Sequence, residues 1–87
     1  MKPGEELIEK GIADLANGLE TIPSLLVSIG APRLRRLGLA VSSPTIESPE
    51  HRLYELLRID DPLAAHSRYN AFIRRLVSFE RAAECVN

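Results

Sequence analysis

The chain has 87 residues, a formal net charge of −1, and 45% hydrophobic against 26% charged residues. That is one domain's worth of sequence, 1–87, with the composition of a packed globule and not of a disordered segment. The charge gives no global attraction to nucleic acid or to an anionic membrane, and a lone cysteine, Cys85, excludes an intramolecular disulfide. Aromatic residues are 5% and tryptophan is absent, so a core must come from Leu, Ile, Val and Ala. The start, Met1 to Glu6, lacks the apolar run of a signal peptide, and no stretch approaches the ~18 apolar residues of a membrane span. The expectation is a soluble cytoplasmic protein.

The first helix is expected over about residues 4–18. Ile8, Ile12, Leu15, Leu19 and Ile22 recur at steps of 4, 3, 4 and 3, which line one helix face. Glu5, Glu6 and Glu9 stand in the first turns, where the helix dipole favours negative charge. Gly11 costs ~1 kcal/mol of helix propensity relative to Ala unless it serves a close helix–helix approach.

Punctuation then becomes dense. Thr21-Ile22-Pro23 reads as a cap with proline in the first turn, opening a short helix over about 23–29 that Gly30 ends. Pro32 opens a second short helix, 32–37, closed by Gly38; one bent helix over 22–41 is the alternative. Residues 42–48, with Ser42, Ser43 and Pro44, read as a mobile loop. Ser48-Pro49-Glu50 signals the next helix, about 49–59, carrying Leu53, Tyr54, Leu56 and Leu57.

The last helix is expected over about 62–85, with Asp61 as N-cap and Pro62 in its first position. Ala65, Tyr69, Phe72, Leu76, Phe79, Ala83 and Val86 follow at steps of 4, 3, 4, 3, 4 and 3, an a/d seam of three heptads. A helix of that span is roughly 36 Å long. No strand pattern and no internal repeat is visible. The fold class is all-α: a small bundle of four or five helices, the long C-terminal helix packed on the N-terminal one.

Among constellations that could carry chemistry, Arg33, Arg35 and Arg36 are the densest positive patch. Short helix, glycine and Arg-bearing helix have the outline of a helix-turn-helix, so a small DNA-binding regulator is one alternative. The second helix is too short to read a major groove, and the acidic flanks Glu5–Glu20 and Glu47–Asp61 repel DNA, so a solvated or salt-bridging surface is favoured. On the long helix Arg68 and Arg75 share one flank and Arg74 and Arg81 the next, with Arg81 placed to pair with Glu84 at i, i+3. His51, His66 and Cys85 show no metal-ligand spacing, and there is no glycine-rich phosphate loop or Ser/His/Asp set. Neither an enzyme nor a metal or other cofactor is expected.

Ile73 and Val77 add a second apolar row beside the C-terminal seam. Either the bundle buries all of it, or a partner helix or a second copy shares the burial; the same stripe serves both. The run His66-Ser67-Arg68-Tyr69, entering the long apolar helix, resembles the corresponding part of small quorum-sensing antiactivators of conjugative plasmids and integrative elements. The resemblance implies an all-α protein that binds a transcriptional activator and keeps it from switching on conjugative transfer. On that reading Tyr69, Phe72, Ile73, Leu76 and Phe79 are apolar anchors, and Arg68, Arg74 and Arg75 orient a transcriptional-regulator partner from the rim. A structural homodimer through the same seam is the remaining alternative.

Overall fold

The computed structural model describes residues 2–86, and the side chains of all of these but Val86, the last position of the predicted seam. Four helices form it: α1 (Glu5–Ala16), α2 (Ile22–Arg36), α3 (Pro49–Asp60) and α4 (Ala65–Val86). Among the described residues there is no strand, and no helix is long and apolar enough to cross a membrane.

Local chemistry sets most helix ends. Thr21 caps α2 through a reciprocal box: its hydroxyl accepts from the Ser24 N–H at 3.2 Å, and the Ser24 hydroxyl accepts from the Thr21 N–H at 2.8 Å. The Thr21 hydroxyl donates in turn to buried Asp14 of α1 at 2.7 Å, so one side chain starts α2 and satisfies a carboxylate inside the α1–α2 contact. Thr21→Val is therefore expected to cost about 2 kcal/mol in chemical denaturation, for the lost cap and for the Asp14 oxygen left without its donor. A midpoint unchanged from the parent would refute this double role.

Gly18 and Gly38, at φ 72° and 93°, close α1 and α2 in the same way. The Gly18 N–H donates to Leu15 O and the Leu19 N–H to Asp14 O; Gly38 and Leu39 repeat the pair with Arg35 O and Leu34 O. These are Schellman closures, in which a left-handed residue turns two N–H groups back onto the orphan carbonyls of the last turn.

The middle of the chain departs from expectation. Residues 22–36 form one helix, not two, and neither Gly30 nor Pro32 interrupts it. Tertiary burial outweighs local punctuation here: Leu25, Leu26, Val27, Ala31 and Leu34 are all removed from solvent on α2. Gly30 is an interior close-approach residue, since a Cβ there would lie 2.9 Å from Leu76 Cδ1 of α4. Pro32 faces outward, where its ring meets solvent.

The packing order also differs from the predicted one. The long C-terminal helix does not rest mainly on the N-terminal one: α1 packs on α2, while α4 packs on α2 and α3. Gly11 decides the first pairing. It lets α1 settle so close to α2 that a Cβ would stand 2.3 Å from Pro23 O and 2.5 Å from Val27 Cγ2. With α1 committed there, the apolar seam of α4 falls to the other two helices. Ile8 and Leu15 of α1, the buried row of α2, Leu53 and Leu57 of α3, and Leu76 and Phe79 of α4 close one core around α2.

Asp61 serves α3 rather than α4. It ends α3 with extended backbone, its carboxylate accepts from the Leu63 N–H at 3.2 Å, and α4 begins only at Ala65 after a turn over 62–64. Pro62 sits in that turn, so neither residue opens the long helix. Between α2 and α3, residues 41–46 are tied back to α2. The Arg35 guanidinium donates to Val41 O at 3.2 Å, Ser42 O at 3.0 Å and Ser43 Oγ at 3.1 Å, and the Ile46 N–H donates to Ser28 Oγ at 3.2 Å.

Candidate functional site

The residues assigned to partner binding separate into groups. Leu76 and Phe79 are buried in the core, where they hold α4 to the bundle and offer a partner nothing. Tyr69, Phe72 and Ile73 are half-buried against that core, and Tyr69 meets Tyr54 of α3 edge-on with ring centroids 5.7 Å apart. Burial, and secondarily the carboxylate of Glu50, pushes the Tyr69 hydroxyl above its ordinary pKa. Arg68 turns towards the α3 end and pairs with Asp60 at 2.6 Å, while Arg74 and Arg75 stand exposed.

The arginine patch is dispersed. Arg33 reaches across to α4, bonding Glu84 through two nitrogens and lying 3.6 Å from Glu80. Glu84 is thereby taken from Arg81, its predicted i, i+3 partner. Arg35 braces the loop as described, and Arg36 is exposed. Two of the three cations therefore do structural work at different places.

Glu80 is buried at the α2–α4 contact, and burial raises its carboxyl pKa; Arg33 and Arg36 pull it down, and Glu84 pushes it further up. For a carboxyl raised in the fold, the favourable contribution is complete below the unfolded value and is lost as pH rises through the folded one. Glu80→Gln is thus expected to be as stable as the parent, or more stable by up to about 1 kcal/mol, at neutral pH, because Arg33 keeps Glu84. The gap in melting temperature should close as pH falls towards the ordinary glutamate value of 4.5. A glutamine variant clearly weaker at pH 7 would mean that Arg33 outweighs desolvation.

The apolar surface lies elsewhere. Among the described residues four large apolar side chains are exposed: Leu19 at 51%, Leu56 at 37%, Ile59 at 74% and Leu63 at 98%. Leu63 stands in the turn after α3, and Leu19, Leu56 and Ile59 flank two adjoining depressions. One, of about 490 Å³, lies between the α1–α2 turn and the loop and includes Leu19, Pro44 and Ile46. The other, of about 250 Å³, runs along α3 past His51, Leu56 and Ile59. Glu20 borders both, and its carboxylate receives two hydrogen bonds from Arg52, at 2.7 and 2.9 Å. Glu55, which also lines the α3 depression, pairs with Arg58 at 2.8 Å. The hydrogen bond from Arg58 holds the exposed Glu55 carboxyl below its ordinary range.

No family model, curated protein or solved structure matches this chain. The candidate site therefore rests on its own residues. Among those described, no group of three or more His, Cys, Asp or Glu side chains could hold a metal ion. His66 lies beside Asn70 at 3.3 Å, and Cys85 is exposed.

Sequence reasoning put Leu19 on the apolar face of the first helix, named Leu56 among the residues the third helix carries without assigning it a side, and gave Ile59 and Leu63 no role at the surface. A signal was present for α3. Successive helical residues rotate by ~100°, so Leu53 and Leu57 share a face while Leu56 and Ile59 turn away from it. Nothing local marks Leu19 or Leu63, whose exposure depends on where the turns are carried.

Proposed function

We propose that this chain is a non-enzymatic protein-binding module that inhibits a transcriptional regulator by occupying one of its surfaces, in the manner of the antiactivators that its C-terminal helix resembles. The observation that carries the reading is the face formed by Leu19, Leu56 and Ile59, apolar side chains left outside the core around two depressions that share Glu20. Scattered exposed apolar residues are ordinary; three bordering adjoining depressions favour a partner. Arg68, in the run that carries the resemblance, pairs with Asp60, the last residue of α3. Inhibition is by mass action: a regulator so covered cannot pair with its own copy, meet DNA or engage polymerase. The engagement of Arg33 and Arg35 inside the molecule weighs against DNA as the ligand.

The test is co-purification of the tagged protein from its native host, in parallel with an Ile59→Asp/Leu63→Asp variant whose helical spectrum and melting match the parent. The expected result is a stoichiometric transcriptional regulator with the parent and its loss with the variant. Retention by the variant would move the contact off this face, and failure of the parent to bring down any regulator would overturn the reading.

A further inference from the structure

We infer that Arg35 is the positioning residue of the candidate binding face: it fixes the loop wall of the depression beside Leu19. The inference rests on the protein-binding reading above. That depression has two walls, held in different ways. One is the end of α1 and the turn after it, with Leu15, Leu19 and Glu20. The Schellman closure at Gly18 fixes this wall, because the Leu19 N–H is returned to Asp14 O at 2.8 Å. The other wall is residues 42–46, which belong to no helix or strand. Its serines, proline and threonine have the composition of a mobile loop, so something outside the segment must hold it.

Two attachments to α2 do so. At the start of the segment the Arg35 guanidinium spans three consecutive residues, reaching Val41 O at 3.2 Å through Nε, and Ser42 O at 3.0 Å and Ser43 Oγ at 3.1 Å through Nη2. At its end the Ile46 N–H donates to the hydroxyl of Ser28, which is buried on α2. Pro44 and Thr45 are carried between two points of one helix. A planar fork of several donors suits three acceptors in a row, whereas the ammonium of lysine is a single point on a flexible stem. Arg35 lines neither depression, so its effect on a partner passes through the loop.

The consequence is preorganisation. A partner that meets a wall already in place does not have to order it. With the wall released, association must also fix the loop backbone, which weakens binding without removing any contact. Arg36, exposed one position further on, is the natural comparison: it has the same charge and no bond to the loop.

The experiment compares the full chain with its Arg35→Ala, Arg35→Lys and Arg36→Ala variants. Amide hydrogen exchange reads the loop, and titration of the regulator recovered from the native host reads the face. Arg35→Ala should speed exchange of the Val41 and Ile46 amides about tenfold while the amides of the four helices keep their parent rates. Its affinity for the regulator should fall about tenfold, and Arg36→Ala should match the parent in both measurements. In Arg35→Lys, affinity should fall in step with whatever loosening the loop shows. Unchanged loop exchange in Arg35→Ala would overturn the brace. A loosened loop with full affinity would overturn its role at the face and leave the protein-binding reading standing. Arg35→Lys with a loosened loop and parent affinity would make the charge itself the contact, and positioning would be wrong. If the parent brings down no regulator, the protein-binding reading fails and takes this inference with it, whatever the loop does.

Discussion

Gly11→Ala should destabilise the protein by about 3 kcal/mol, although alanine improves helix propensity by ~1 kcal/mol at the same position. The added methyl would lie 2.3 Å from Pro23 O and 2.8 Å from Pro23 C, both main-chain atoms, and 2.5 Å from Val27 Cγ2. Main-chain atoms of α2 cannot step aside by changing a rotamer. Relief requires α1 to lift, which opens the contacts of Ile8 and Leu15 with the core and pulls Asp14 away from Thr21. Gly30→Ala is the control. Its methyl would meet Leu76 Cδ1 at 2.9 Å and Glu80 Oε2 at 3.1 Å, both ends of movable side chains. The same gain in propensity then leaves that variant within about 1 kcal/mol of the parent. Denaturant midpoints for the two variants measure the contrast. Equal midpoints would mean that α1 and α2 are not seated as closely as Gly11 allows.

These glycines also show what the sequence makes legible. The helical class, the bounds of α1 and α3, the Thr21 cap and the Gly18 and Gly38 stops are all local, each written in a few adjacent residues. The i, i+3/i+4 stripes state that a helix has a buried face but not which helix covers it. A stripe on α1 therefore fitted α4 as well as α2 until the depth available at Gly11 was known. Gly30 and Pro32 have the look of a break, and only the burial of Leu25, Leu26 and Leu34 keeps α2 continuous through them. Charge is less legible still. The fate of Arg33 is settled by Glu84, fifty-one positions away, and no local pattern announces such a pair. The seam of α4 was readable as apolar, but its division into core residues such as Leu76 and half-covered ones such as Ile73 depends on how far α2 and α3 extend beside it.

The two faces of α3 give the second large effect and separate stability from function. Leu57→Ala should cost about 2–5 kcal/mol, because its side chain is fully buried, 0% exposed, beside Leu53 and the α2 row, and truncation leaves a cavity there. In a small domain with a total stability of about 5–15 kcal/mol, that loss can consume much of the margin. Leu56, its sequence neighbour, retains 37% of its exposure, and Ile59, one half-turn on, retains 74%. Ile59→Ser removes little packed surface and should leave the denaturation midpoint within about 0.5 kcal/mol of the parent. If the outer face binds a partner, Ile59→Ser loses binding with the fold intact, and Leu57→Ala loses binding only in proportion to the fraction unfolded. Titrating a captured partner against both variants, at a temperature where each is folded, reads the two effects separately. Normal affinity in Ile59→Ser together with a specific loss in folded Leu57→Ala would place function on the inner face, which the packing of α3 against α2 forbids.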